Sequence, residues 1–131
     1  MKFYRIAQNT IFDPQNGIGA VPFNASVEYR GFVKPMTPAE LRELVPQGYL
    51  DQESSLHLID ALKDGKQFGN PFLIVKWKNG KWKVTDHEGR SRSDAVAAVY
   101  GQIDMPVHIF PIGLRARDLT EDMTSAEFIP Q

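Results

Sequence analysis

The sequence predicts an α/β protein, a single compact domain in which a small mixed β-sheet is joined by three or four helices. The chain has 131 residues, which is the length of one domain. Its composition, 42% apolar and 24% charged, is that of an ordinary globular protein. Segments with strand periodicity alternate with segments of helical periodicity. We therefore treat 1–131 as one domain, with about 112–131 as a C-terminal helix or tail.

Composition excludes several classes of function. The chain has no cysteine, so disulfides, thiolate metal sites and cysteine nucleophiles are excluded. Its net charge of −1 gives no whole-molecule attraction to nucleic acid or membranes. No apolar run approaches the roughly 20 residues of a bilayer span. The N-terminus becomes polar too early for a secretion signal. We expect a cytoplasmic protein without membrane association.

The N-terminal half shows two helices. Thr37 is a good N-cap, Pro38 suits the first helical position, and Glu40 completes a capping box. This helix ends before Pro46. A second helix is predicted over 52–63, where apolar residues recur at helical spacing and a glycine follows.

The remaining elements are shorter or less regular. Alternation predicts strands at 3–6 and 27–33, whereas Pro, Gly and Asn predict a long loop over 13–25. An Ala/Val helix is expected over 93–100. A buried strand at 106–110 follows, in which His108 is expected to be a core residue.

A β-hairpin is the clearest local signal. Asn79-Gly80 between alternating runs predicts a two-residue type I′ turn. This turn sets four cross-strand pairs: Lys78 with Lys81, Trp77 with Trp82, Lys76 with Lys83, and Val75 with Val84. One face is then apolar and the other carries four lysines. The lysines have two interpretations, contact with a phosphate backbone or protection against edge-to-edge strand pairing.

The segment 86–92, Asp-His-Glu-Gly-Arg-Ser-Arg, links a strand to a helix. Free N–H groups and the positive dipole at a helix N-terminus bind phosphate. Arginines there oppose the dipole unless an anion is bound. The segment 66–92 also has five more basic than acidic side chains. We predict a phosphate site formed by Gly89, Arg90, Ser91 and Arg92. The alternative is that the arginines pair with neighbouring acids, Asp86, Glu88 or Asp94, and bind nothing.

The order of these features carries a resemblance. Residues of about 70–111 contain, in order, a hairpin, the Gly-x-x-Arg turn of 89–92, an Ala-rich helix, Gly101 and the strand Pro106-Val107-His108-Ile109. Together these features resemble the ParB/sulfiredoxin-like superfamily. In a second alignment, 90–92 overlay the Arg-x-Arg that ends the partition-protein motif. The resemblance implies a compact α/β fold whose turn holds nucleotide phosphates. Members bind CTP or ATP, and some are described as nucleases or kinases.

Two departures limit what the resemblance implies. Sulfiredoxin chemistry needs a cysteine, which this chain lacks. Partition proteins follow the domain with a helix-turn-helix DNA reader, for which the residues after the last strand are too few. We therefore expect a stand-alone domain, similar in its turn to small phage proteins.

Catalytic residues are a separate hypothesis. His87 and Glu88 place an imidazole beside a carboxylate, a combination that supports general base catalysis. With a remote partner they would hold Mg²⁺ beside a nucleoside triphosphate. Arg115 and Arg117 follow the last strand. We expect them to leave the sheet near the turn, where they either complete the phosphate pocket or cap the terminal helix.

Three functions follow from these residues. The leading hypothesis is a domain that binds the phosphate of a nucleotide or nucleic acid. The first alternative is a metal-assisted nuclease or phosphotransferase using His87 and Glu88. The second alternative is a protein–protein interaction module, such as a phage inhibitor of a host enzyme, that keeps the fold without the ligand.

Overall fold

The computed structural model describes residues 11–20, 31–46 and 52–131. These residues form a mixed five-stranded sheet and four α-helices, so the predicted small α/β domain is confirmed. The predicted strand at 3–6, the first part of the strand at 27–33 and the end of the loop at 13–25 lie outside the described residues. The elements in chain order are β1 (Phe32–Met36), α1 (Pro38–Leu44), α2 (Gln52–Lys63), β2 (Phe72–Lys78), β3 (Lys81–Glu88), α3 (Arg90–Tyr100), β4 (Met105–Pro111), α4 (Glu121–Thr124) and β5 (Phe128–Ile129).

The sheet has the strand order β1-β4-β2-β3-β5. β2 lies parallel to β4, and β3 lies parallel to β5. The pairs β1/β4 and β2/β3 are antiparallel. The connection from β3 to β4 contains α3, and the first turn of α3 follows directly from the end of β3.

One face of the sheet forms the core. Its side chains are at most 3% exposed: Phe32, Met36, Leu73, Val75, Trp82, Val84, Met105, Val107 and Ile109. The rings of Phe32 on β1 and Trp82 on β3 are 5.9 Å apart. In a flat sheet these strands would be about 14 Å apart. The sheet is therefore strongly curled, with the apolar face inside.

His108 was predicted to be a core residue, but it lies on the outer face of the sheet. His108 pairs with Val33 on β1 and with Phe72 on β2, whose neighbours Phe32 and Leu73 point into the core. Because side chains alternate along a strand, His108 lies on the outer face, half-buried, and is not a core residue.

The helix predictions in the N-terminal half are confirmed. Thr37 accepts a hydrogen bond from the N–H of Glu40 at 3.2 Å, and Pro38 is the first residue of α1. α2 has the predicted bounds, and Gly65 follows it at φ +80°. α3 begins at Arg90, three residues before its predicted start, because Gly89 adopts φ +105° and lets the chain turn at once from β3 into the helix.

The hairpin has the predicted register. Asn79 and Gly80 both have positive φ, as a type I′ turn requires, and Trp77 lies opposite Trp82 with ring centroids 4.5 Å apart. Farther along, a β-bulge at Thr85 adds one residue to β3. The bulge shifts the later residues of β3 by one face relative to β2.

The C-terminal segment contains more structure than the predicted helix or tail. A 3₁₀ turn at Ala116–Asp118 and α4 precede β5, which extends the sheet beside β3. The indole N–H of Trp82 donates to the carbonyl of Met123 at 2.6 Å, which fixes this segment against the curled sheet. No helix in the described part of the chain has both the length and the apolar character of a bilayer span.

Candidate functional site

The turn between β3 and α3 leaves the helix N-terminus without a side-chain cap. Gly89 is the N-cap, and the first turn of α3 contains no acidic residue. The N–H of Ser93 donates to the carbonyl of Gly89 at 2.9 Å. The amides of 90–92 precede that bond and have no acceptor within the helix. These donors and the positive end of the helix dipole favour a bound anion.

Arg92 is buried beside this turn, with only 6% of its surface exposed. Its Nη2 donates to the carbonyl of Asn70 at 3.3 Å. Its Nη1 lies 3.6 Å from Oε1 of Glu88, whose side chain is 57% exposed. Among the described residues, Nε of Arg92 has no hydrogen-bond partner. Burial lowers the pKa of Arg92, and the charge of Glu88 acts in the opposite direction. The buried positive charge is therefore only partly compensated.

Two glycines make room for this guanidinium. A Cβ at Gly19 would lie 2.2 Å from Nη1 of Arg92, and a Cβ at Gly89 would lie 2.9 Å from Nη2. The loop that carries Gly19 is held by backbone bonds to the residues before β2, such as Asp13 N–H to the carbonyl of Phe68 at 2.7 Å. The loop therefore covers the guanidinium and excludes water from it.

Asn70 lies beside the same guanidinium and was not predicted. It is 7% exposed, and its Oδ1 has no hydrogen-bond partner within the described part of the chain. Asn70 and Gly19 could not be predicted as neighbours of Arg92, because both are distant from it in sequence. The one signal is the glycine content of the loop, which permits a close approach of backbone to a side chain.

The placement of Arg92 corrects part of the sequence interpretation. The predicted phosphate site includes Arg92, and the alternative pairs the arginines with neighbouring acids. In the structure Arg92 is buried and forms an ion pair with Glu88. The reason is helical spacing, since position 92 shares one side of α3 with the fully buried Ala95 and Val96. Arg90 and Ser91 are half-buried in the first turn.

Asp94 does not neutralise the turn. Its two carboxylate oxygens accept hydrogen bonds from Nη1 of Arg42 at 2.8 and 3.0 Å. This ion pair joins α1 to α3 and compensates Asp94 locally. Asp94 is therefore paired outside the turn, and the ion pair of Arg92 is with the exposed Glu88.

His87 and Glu88 lie on opposite faces of the sheet. His87 pairs with core residue Leu73 in the register, whereas Glu88 pairs with Phe72 on the outer face. Nδ1 of His87 is 2.6 Å from Oε1 of Gln131, and Asp86 accepts from the N–H of His87 at 2.8 Å. In the ranges 11–20, 31–46 and 52–131, no three His, Asp or Glu side chains are grouped to hold a metal ion.

Arg115 and Arg117 lie away from the turn. β4 ends at Pro111, opposite Val75, and the N–H of Ile112 donates to the carbonyl of Val75. The turn before α3 begins at the other end of β2, where Glu88 pairs with Phe72. The expectation that these arginines leave the sheet near the turn is therefore wrong. Both are exposed beside the 3₁₀ turn.

The chain matches no family profile, no curated protein and no solved structure.

Proposed function

We propose that this chain binds the phosphate of a nucleotide or nucleic acid at the N-terminus of α3. The observation that carries the proposal is the uncapped first turn of α3 beside the buried, partly compensated guanidinium of Arg92. The buried charge of Arg92 costs free energy because Glu88 compensates it only in part, and the positive end of the helix dipole opposes the arginines of the first turn. One bound anion relieves both.

The groups of the site have different roles in this proposal. The backbone amides of 90–92 donate hydrogen bonds to phosphate oxygens, and Arg90 and Ser91 supply the side chains nearest to solvent. Arg92 contributes its charge from beneath the turn. At about 6 Å and an effective dielectric constant near 20, that charge attracts a phosphate by roughly 3 kcal/mol. The helix dipole adds about 1 kcal/mol, so Arg92 is the larger electrostatic contribution.

The resemblance to the ParB/sulfiredoxin-like superfamily supports the same ligand class. It assigns nucleotide phosphates to the Gly-x-x-Arg turn, which is the segment from Gly89 to Arg92. The metal-assisted alternative has no comparable support, because His87 and Glu88 lie on opposite faces. No feature of the described surface favours the interaction module over the phosphate site.

The substitution Ser91→Asp tests the proposal through two readouts of opposite sign. A carboxylate in the first turn of α3 is attracted by the positive end of the helix dipole, so the free protein gains about 0.3–1 kcal/mol of stability. The same carboxylate repels an anion, so the thermal stabilisation by phosphate or nucleoside triphosphates disappears. A ligand at about 100 times its dissociation constant contributes roughly 2.7 kcal/mol in the wild type, which a thermal-shift assay resolves.

Ser125→Asp is the matched control. It is the same substitution at an exposed serine after α4, in the segment that runs to β5. This variant should keep the ligand-dependent shift of the wild type. The proposal is wrong if neither inorganic phosphate nor a nucleoside triphosphate raises the melting temperature of the wild type. It is also wrong if both variants respond equally to the ligand.

A further inference from the structure

The tip of the β2–β3 hairpin extends beyond the rest of the sheet. β2 pairs with β4 only from Phe72 to Val75, and the N–H of Ile112 closes that pairing at the carbonyl of Val75. Beyond this point β2 has β3 as its strand neighbour, and β5 contacts β3 at Trp82 and Lys83. We refer to residues 76–83 as the hairpin arm.

All outer-face positions of the hairpin arm are lysines. Lys78 lies opposite Lys81, and Lys76 lies opposite Lys83. Trp77 and Trp82 occupy the inner face, where they contact each other. The outer face of the hairpin arm therefore carries one sign of charge and no aromatic side chain.

These charges are weakly compensated. Lys81 lies 3.4 Å from Glu127, but the two side chains are 50% and 79% exposed, and such pairs contribute little. Nζ of Lys83 donates to the carbonyl of Pro130, which is uncharged. Lys76 and Lys78 are exposed, and among the described residues neither forms an ion pair.

Solubility and edge protection do not require this arrangement. Like charges directly opposite each other on neighbouring strands are unfavourable, whereas Lys–Glu pairs would be equally soluble and stabilising. In the described structure β2 has no second strand neighbour beyond Val75, so lysines protect its edge, but β5 covers β3 at Trp82 and Lys83, so edge protection does not account for Lys81 and Lys83. Two directly opposed Lys–Lys pairs thus lower the stability of the free protein, and a bound polyanion would offset that cost.

We propose that the hairpin arm binds the phosphate backbone of duplex nucleic acid. Lysines two positions apart on one strand are about 7 Å apart, and opposed lysines are about 5 Å apart, which gives a regular array of positive charges. Single-strand binders stack bases on aromatic rings, and this face has none. Lysines on phosphates carry no sequence information, so binding is independent of sequence.

This surface is separate from the phosphate site at α3. The arm lies at one end of β2 and the turn before α3 lies at the other, about 20 Å away along the strand. Neither proposal depends on the other. Ser91→Asp should remove the response to phosphate and leave duplex binding by the hairpin arm in place.

The test compares two double substitutions with equal loss of charge. Lys76→Gln with Lys78→Gln removes two lysines of the arm that have no ion pair in the described structure. Lys63→Gln with Lys66→Gln removes two exposed lysines at and after the end of α2. Affinity for a short fluorescein-labelled duplex is measured by anisotropy at a series of salt concentrations, and unfolding of each variant is followed in urea.

The salt dependence decides the result. Four phosphate contacts give the wild type a log–log slope of about −3.6, which is roughly a 150-fold loss of affinity between about 50 and 200 mM salt. The arm variant should reduce the slope by about 1.8 and remain folded, whereas the control keeps the wild-type slope. The proposal is overturned if the wild type does not bind the duplex at low salt. Equal slopes for the two variants, or equal binding to single strands or to polyglutamate, also overturn it.

Discussion

The substitution Arg92→Met distinguishes two roles of the buried Arg92 charge, which are binding of an anion and stabilisation of the fold. Methionine keeps most of the aliphatic stem and removes the guanidinium. The variant loses a charged hydrogen bond to the Asn70 carbonyl, about 1.5–3 kcal/mol. It also loses the pairing with Glu88, which is worth about 0–1 kcal/mol because that side chain is 57% exposed.

The variant also gains stability, because it no longer has to remove the charge of Arg92 from water on folding. Burying an ion costs several kcal/mol, and Arg92 is 6% exposed. The two effects nearly cancel, so the free energy of unfolding of Arg92→Met should lie within about 1 kcal/mol of the wild-type value. Compared with Arg92→Met, Arg92→Ala lacks the γ-methylene, the sulfur and the ε-methyl, each worth about 0.8 kcal/mol, and leaves a cavity. It should be about 2–3 kcal/mol less stable than Arg92→Met.

Urea denaturation at neutral pH measures both differences by linear extrapolation. Thermal shift with a nucleoside triphosphate then supplies the second readout, since Arg92→Met should lose most of the ligand-dependent stabilisation. A loss of more than about 3 kcal/mol in ligand-free Arg92→Met would refute the reasoning. In that case the guanidinium stabilises the fold by itself, and Arg92 is a structural ion-pair residue whose charge is already compensated within the protein.

Three further predictions concern the surroundings of the site and the core. Gly19→Ala should lower the melting temperature in thermal unfolding, because φ is +77° there and the new Cβ would lie 2.2 Å from Nη1 of Arg92. The pKa of Asp13 is lowered by hydrogen bonds from the N–H groups of Asn16 and Gln15, so its stabilising contribution is present above its ordinary pKa of 3.8 and is lost as the pH falls through the lowered value. Asp13→Ala should therefore remove that part of the acid dependence of unfolding, measured in urea across this pH range. Trp82→Phe removes the indole bond to the carbonyl of Met123 and leaves a cavity in the core, so urea denaturation should show a loss of about 2–3 kcal/mol.

The elements that local chemistry determines could be predicted from the sequence. The N-cap at Thr37 and the turn at Asn79-Gly80 depend on side chains within a few residues, and the structure confirms both. The alternation from that turn was enough to place Trp77 opposite Trp82. Register was predictable here because a two-residue turn permits one pairing.

The other features depend on contacts between distant segments. Adjacent strand residues such as His87 and Glu88 face opposite sides, but no sequence signal marks the bulge at Thr85, which decides that His87 lies on the core face. The burial of Arg92 requires a loop more than 70 positions earlier to cover it. A pattern of arginines at a helix start indicates charge. It does not show which arginine points inward, because that is set by the packing of the helix on the sheet.

The most direct test of the phosphate site is to locate the bound anion on the chain. A titration of the ¹⁵N-labelled protein with inorganic phosphate, and then with a nucleoside triphosphate, follows every backbone amide in ¹H–¹⁵N spectra. We predict that the largest saturable shifts occur at the amides of 90–92, with smaller shifts at Asn70 and Gly19, which lie beside the guanidinium of Arg92. Unchanged amides at 90–92, or shifts confined to the hairpin arm of 76–83, would contradict the account.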